Sequence, residues 1–361
     1  MTIYIVDIEG HTSRYTKEWK QYLPQQLKQY TNKEVISISG GEVLQTTTPG
    51  AFLNFGGTSA YKGNQMEQIG QLFCQGKIKD NDYFLYTDAW NPTVIQLKYM
   101  AELLNVKIKI GGMWHAGSYD PNDFLGRLIG DKPWVRSAEE SMYNCFDHNF
   151  FASHYHMKIF ETAFINTGKA FGAVETGRDS NKLHVVGWPM EYMEQILKPY
   201  KNITKKNLIL FPHRMAPEKQ PDIFTDLKNA LPQYDFVFAQ EKQLTKNEYH
   251  KLLGETKLIF SANLQETLGI SWYEGLILDV IPMIPNRLSY KEMATFDFVY
   301  PSTWTDTMEH YFTHKDDIIQ KINEYMTNHN TYIMKMQHQK EILQQAYFSG
   351  TKMYETINNS I

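Results

Sequence analysis

Residues 260–285, FSANLQETLGISWYEGLILDVIPMIP, constrain this chain more than any other stretch. Lys257-Leu258-Ile259-Phe260 ends a short apolar run of the kind found in a parallel strand buried on both faces. A polar turn through Ser261, Ala262 and Asn263 leads to Glu266-Thr267-Leu268-Gly269. Beyond Gly269, the apolar residues Ile270, Trp272, Tyr273, Leu276 and Ile277 recur at helical spacing. A second apolar run, 280–285, closes the unit. Strand, glycine turn, helix and strand make a βαβ unit, the building block of a parallel α/β sheet. The first amides of such a helix lack intrahelical partners and so form an anion site. Glu266 on the turn and Glu274 in the helix would flank a phosphorylated ligand there, as acceptors for its hydroxyls. The same residues also fit a purely structural βαβ unit with two solvated glutamates.

Glu-x7-Glu on this strand, turn and helix resembles the donor-sugar motif of the retaining glycosyltransferases of family four (glycosyltransferases group 1), which have the GT-B fold. The resemblance implies that Glu266 meets the transferred sugar and that Glu274 holds the nucleotide ribose. It also implies that the turn at Leu268, Gly269 and Ile270 meets the sugar hydroxyls and the diphosphate. The family usually reads Glu-Pro-Phe-Gly, so Thr267 and Leu268 are departures that leave the sugar identity open. Upstream, 207–212 reads as a buried strand, followed by His213-Arg214-Met215-Ala216-Pro217-Glu218-Lys219. This resembles the family's Gly-Arg…Pro-Glu-Lys-Gly segment, whose arginine and lysine neutralise the donor diphosphate. Arg214 and Lys219 match it, whereas His213 replaces the glycine. Positive charge at that place suits a leaving nucleoside diphosphate, because it stabilises charge that develops as the bond breaks. His115, after the strand 106–110 and among Gly111, Gly112 and Gly117, occupies the place of the family's histidine that faces the transferred sugar.

The remaining features bound these expectations. At 361 residues, 42% hydrophobic and 21% charged, the chain has the composition of a soluble globular protein of two domains. No apolar run approaches a membrane span, so no stable membrane insertion is expected. Met1 runs directly into a strand, which reads as no signal peptide, and Cys74 and Cys145 are too few for a disulfide framework. A cytoplasmic location follows, or the host cytoplasm for a viral protein. The net charge of −4 gives no general attraction to nucleic acid.

In chain order, residues 3–8 read as the first strand. The turn from Glu9 to Tyr15 leads to a helix carrying Trp19, Tyr22 and Leu23, and 34–38 is the next strand. Gly10, His11, Ser13 and Arg14 on that first turn are candidate phosphate or acceptor contacts, and a solvated loop is the competing reading. Residues 39–64, rich in Gly, Thr and Ser, read as a long loop or hairpin. Residues 83–88 read as a strand and 93–104 as a helix. The segment 118–137 interrupts the rhythm, interleaving Arg127, Lys132 and Arg136 with Phe124 and Trp134. It suits a flat or anionic acceptor, or else a surface loop packing its aromatics inward. Helices at 139–148 and 154–165 alternate with strands at 149–153 and up to Pro189. The second half follows with helices at 222–231 and 246–253 and a strand at 236–239, and 315–346 reads as long helix.

The expected fold is α/β with two Rossmann-like, doubly wound domains facing a cleft (GT-B) and a C-terminal helix crossing back to the first domain. The expected domains are 1–190 for the acceptor, 207–346 for the nucleotide-sugar donor, and 347–361 as the returning helix. The expected function is a metal-independent hexosyl- or pentosyltransferase. It would move a sugar from a nucleoside-diphosphate sugar, the co-substrate, to a hydroxyl of a soluble saccharide or small molecule, with retention. No convincing exposed apolar or basic amphipathic surface is legible in the first half, which favours a soluble acceptor over lipid. Two alternatives stay open. One is a phage-type enzyme acting on a hydroxymethylated base in duplex DNA, supported by Arg127, Lys132, Trp134, Arg136 and the basic run 198–206. The other is a GT-B-like protein that binds nucleotide sugars without turnover. Asp80-Asn81-Asp82 precedes a strand and reads as a turn. His154 and His156 lack a third ligand at metal spacing, and no P-loop, dinucleotide or hydrolase-elbow motif occurs.

Overall fold

The computed structural model describes residues 1–12, 14–44, 46, 48, 53–130, 132–164 and 180–361. Ser13 and parts of the 39–64 segment lie outside the described residues. The chain divides into two compact units, Met1–Met190 with Ser349–Ile361, and Glu191–Phe348.

In unit 1 the order is β1 (Thr2–Val6), α1 (Thr16–Thr31), β2 (Glu34–Ile38), α2 (Phe55–Cys74), β3 (Tyr83–Tyr86), α3 (Thr93–Leu103), β4 (Lys109–Trp114), α4 (Phe124–Leu128), α5 (Pro133–Cys145), β5 (His148–Phe151), α6 (His154–Phe164) and β6 (Leu183–Val185). The six strands form one sheet in the order β2-β1-β3-β4-β5-β6, every pair parallel. β3, YFLY, is buried at all four positions, as a strand covered on both faces must be. β1 has β2 on one side and β3 on the other, so the winding reverses between β1 and β3. That switch point is where α/β sheets open a crevice at the strands' carboxyl ends.

Unit 2 runs α7 (Met193–Leu197), β7 (Leu208–Phe211), α8 (Pro221–Ala230), β8 (Asp235–Phe238), α9 (Lys246–Glu255), β9 (Leu258–Phe260), α10 (Ile270–Ile277), β10 (Ile281–Pro285), α11 (Tyr290–Met293), β11 (Val299–Tyr300), α12 (Met308–Thr313), α13 (Lys315–Thr327) and α14 (Ile333–Ala346). Its sheet is β11-β10-β9-β7-β8, again all parallel, with the reversal between β7 and β9. Phe211, Phe224, Phe238 and Phe260 pack together in its core. The last helix, α15 (Thr351–Ser360), belongs to unit 1 and buries Met353, Tyr354 and Ile357 there, with Tyr354 beside Tyr30 of α1.

Several expected boundaries move. The 39–64 segment is not all loop, because α2 begins at Phe55, where Asn54 caps it by accepting from the Gly57 amide at 2.8 Å. The helix expected at 139–148 starts earlier, with Pro133 in its first turn where the missing N–H costs nothing. Gly111 and Gly112 lie within β4 and are not turn residues. A Cβ at Gly111 would sit 2.2 Å from the Tyr83 hydroxyl, and one at Gly112 2.5 Å from the Phe146 ring. Asp80 and Asp82 are occupied as turn formers, accepting from the amides of Lys107, Thr2 and Lys79 at 2.7–2.8 Å. The basic run 198–206 is partly committed to unit 2. Lys205 Nζ donates to the Leu278 carbonyl, and burial lowers its pKa to about 8. Lys206 pairs with Glu255 at 2.8 Å.

Candidate functional site

Unit 2 gathers the expected donor residues at its switch point. Phe211 ends β7, and the chain turns through His213 and Arg214 into a single 3-10 turn, Pro217–Lys219, closed by Gln220 at φ 52°. Arg214 pairs through two guanidinium nitrogens with Glu218. Lys219 is 6% exposed, and its ammonium donates to the Gln265 carbonyl and lies 3.4 Å from Glu266 Oε2. One lysine therefore ties the loop after β7 to the loop after β9, across the strands where the winding reverses. His213 is buried beside both cations, and burial first, then Lys219 and Arg214, hold its pKa well below the usual value. It is a neutral imidazole at pH 7.

Glu266 folds back on its own turn. Its Oε1 accepts from the Thr267 amide at 3.2 Å and the Gly269 amide at 3.1 Å, while Oε2 faces Lys219 and the Asn263 side-chain amide, both at 3.4 Å. The Gly269 amide, expected to be open to a diphosphate, is thus held by the protein's own carboxylate. Gly269 has φ +80°, and a Cβ there would lie 2.8 Å from both Trp272 and Tyr290. Only glycine suits the turn on both counts. Leu268 is buried, its carbonyl taking the Trp272 indole N–H at 3.2 Å, and Ile270 begins α10 half-buried. Glu274 is not solvated. It is 7% exposed, accepts from the Tyr249 hydroxyl at 3.3 Å and lies 3.8 Å from His250 Nε2, both on α9. Burial and the Glu274 charge raise the Tyr249 pKa well above 10.

Arg287, which no motif flagged, locks this loop. Its guanidinium donates to the carbonyls of Asn263 (2.7 Å), Ala262 (2.6 Å), Ser302 (2.9 Å) and Thr305 (3.2 Å). The only hint in the sequence was its position just beyond the second strand of the βαβ unit.

In unit 1, a pocket of about 560 Å³ opens at the carboxyl ends of β1, β3 and β4, lined among others by Arg14, Phe55, Lys62, Trp90, His115 and Phe124. His115 is doubly engaged. Its Nε2–H donates to the Thr87 carbonyl at 2.7 Å, which fixes the tautomer, and its Nδ1 accepts the Tyr15 hydroxyl at 2.8 Å. Burial lowers its pKa, so it presents a neutral ring edge. Lys62 is buried and pairs with Asp88 at 3.0 Å. Gly10 is half-buried beside Lys17 and Lys20, and His11 is 5% exposed, its pKa lowered first by burial and then by Arg14. His11 lines a second, smaller pocket beside Glu9, a residue the sequence reading passed over.

The basic–aromatic set at 118–137 separates. Phe124 is buried and stacks on Phe55 at 6.1 Å. Arg136 turns inward, donating to the Ala163 carbonyl at 2.9 Å over the Phe164 ring. Arg127, Lys132 and Trp134 (61%) stay exposed. The expectation that the first half lacks an exposed apolar surface is also corrected. On α3 the i, i+4, i+8 residues Ile95, Tyr99 and Leu103, with Leu104 after them, form an exposed stripe, Tyr99 and Leu103 each more than two-thirds exposed. The face of α3 turned to the core is that of Val94, Leu97 and Ala101. Among the described residues no helix is long and apolar enough to cross a membrane, and no group of three or more His, Cys, Asp or Glu could hold a metal.

The two parallel-sheet units with a returning C-terminal helix define the GT-B fold, and solved structures agree. The chain is similar in structure to the sucrose-phosphate synthase of Thermosynechococcus elongatus, at 7% identity over 99% of this chain and 96% of that one, TM-score 0.60. It is similar to the catalytic domain of starch synthase IV from Arabidopsis thaliana bound to ADP and acarbose, at 10% identity over 99% and 98%, TM-score 0.58. TarM matches at 12% identity over 82% of this chain, TM-score 0.51. The chain spans only 58–61% of the length of TarM and of two GtfA structures it matches. No protein-family model matches the sequence, and no curated protein does.

Proposed function

We propose that this chain is a glycosyltransferase that moves a sugar from a nucleoside-diphosphate sugar to a hydroxyl of a saccharide or small-molecule acceptor, with retention at the anomeric carbon. The observation that carries this reading is the convergence of Arg214, Lys219 and Glu266 at the unit 2 switch point of a GT-B fold. In the transfer the C1–O bond to the diphosphate breaks and its electron pair leaves with the diphosphate. A bond from C1 to the acceptor oxygen forms, and the acceptor proton passes to a leaving-group oxygen or to water. Lys219 and Arg214 stabilise the charge growing on the leaving group. These two cations supply that charge, so the reading calls for no metal. An arriving diphosphate competes with Glu266 for the Thr267 and Gly269 amides, which frees the carboxylate to take sugar hydroxyls. Glu274, which accepts from Tyr249, is the ribose acceptor.

The acceptor side is assigned to unit 1, whose switch-point pocket favours a small molecule. The α3 stripe takes away one reason for preferring a soluble acceptor, so the preference now rests on that pocket. The duplex-DNA reading has less support than its residues suggested, since Arg136 and Lys205 are engaged within the fold. The test is to incubate the protein with UDP-, GDP-, ADP- and dTDP-sugars and assay released nucleoside diphosphate. At least one donor should be consumed. Binding of a donor without consumption would instead support a non-catalytic nucleotide-sugar-binding protein, and neither binding nor consumption would overturn the reading.

A further inference from the structure

Glu9 follows β1 and is 2% exposed, yet no donor among the described residues reaches its Oε1. A buried acceptor-only oxygen without a donor is costly to keep. The neighbouring Asp7 is better served, its Oδ1 accepting from Tyr61 and Gln65 and its Oδ2 lying 3.3 Å from the Lys20 ammonium. Glu9 instead lines a small recess with His11, Val43, Leu44, Asn54, Thr58 and Tyr61. Thr58 also lines the 560 Å³ pocket, so the two adjoin beneath the start of α2. Their linings differ in chemistry. The small one sets a carboxylate, an imidazole and hydroxyls beside Val43 and Leu44, whereas Ile8, Phe55, Trp90 and Phe124 give the large one an apolar and aromatic wall beside its charged residues Arg14, Lys62, Asp88 and Asp123. That wall is fixed: Phe55 and Phe124 are nearly parallel (15°), and the Trp90 indole N–H donates to Glu139 at 2.9 Å.

We propose that the two pockets form one bipartite site for a hydroxylated small molecule with an aromatic body, its hydroxyls donating to Glu9 and its ring lying against Phe55, Trp90 and Phe124. The proposal deepens the reading of unit 1 as the acceptor side and names the acceptor class, an aromatic aglycone or its glycoside in place of a bare saccharide chain. The test measures binding of 4-nitrophenyl hexosides and the matching methyl hexosides by calorimetry without any donor, so it stands apart from turnover. The aryl compounds should bind at least ~10-fold more tightly, the order expected for filling an apolar pocket. Phe124→Ala should abolish that difference while leaving methyl-hexoside affinity unchanged. Glu9→Gln, which loses a charge-assisted bond, should weaken both by about 10–100-fold. Equal affinities for the two series, binding of neither, or a Phe124→Ala loss shared by both would overturn the proposal. Should Phe124→Ala not fold, the wild-type ratio and Phe55→Leu decide. Aryl-hexoside binding without consumption of any nucleotide sugar would uphold this site and remove the transferase reading instead.

Discussion

Two carboxylates show how burial sets the behaviour of a single residue. Asp7 is buried, and desolvation raises its pKa to about 6 against the lowering effects of Tyr61 and Lys20. The folded pKa therefore lies above the unfolded value of about 3.9. Such a group binds more protons folded than unfolded, so its contribution is fully present below pH 4 and is lost as pH rises through 6. Asp7→Asn should remove that loss. Urea midpoints of the variant and the wild type, compared at pH 4 and pH 7, should diverge in favour of the variant at the higher pH. Parallel midpoints would show that Asp7 is not desolvated as described. Glu274 was legible as half of a spaced pair, but its enclosure by Tyr249 and His250 was not, because α9 lies twenty-five residues upstream. Glu274→Gln keeps the volume and forfeits a charge-assisted bond worth about 1.5–3 kcal/mol where it forms. Donor affinity should fall accordingly, with little change in kcat, and full affinity in the variant would remove the ribose assignment.

At the scale of elements, the βαβ unit around Gly269 behaves as its sequence suggests, since apolar spacing and a turn glycine both speak for the same helix. Gly269→Ala would force a Cβ into a left-handed turn against Trp272 and Tyr290, and such strain costs on the order of 1–3 kcal/mol. A several-degree drop in Tm should follow, together with weaker donor binding, and an unchanged Tm would mean the turn relaxes freely. α2 was illegible for the opposite reason. Gly56, Gly57, Gly63 and Gly70 lower its helix propensity. Two of its four buried residues, Lys62 and Gln65, are polar, so no apolar stripe marks the buried face. Lys62 is held by Asp88 and the Trp90 carbonyl, and Gln65 by the Asp7 and Ile38 carbonyls, partners 26 or more residues away in sequence. Arg287 was missed likewise, because its partners are backbone carbonyls that no motif records.

For the whole molecule, both sheets reverse their winding beside strands whose carboxyl ends carry the candidate chemistry, Arg214 and Glu266 in unit 2 and the Glu9–His115 pockets in unit 1. That repetition was readable as two successive βα patterns, whereas the pockets needed side chains from segments far apart in sequence. The net charge of −4 and the internal engagement of Arg136 and Lys205 count against a phosphate backbone as partner. The central claim is that Arg214 and Lys219 stabilise a departing nucleoside diphosphate. The most direct measurement is kcat/KM for donor consumption in wild type, Arg214→Ala and Lys219→Ala, with folding checked by circular dichroism. A fall of about 10²–10³-fold in either variant, with the fold intact, is predicted from charge lost at the breaking bond. An unchanged kcat/KM in either folded variant would contradict the account.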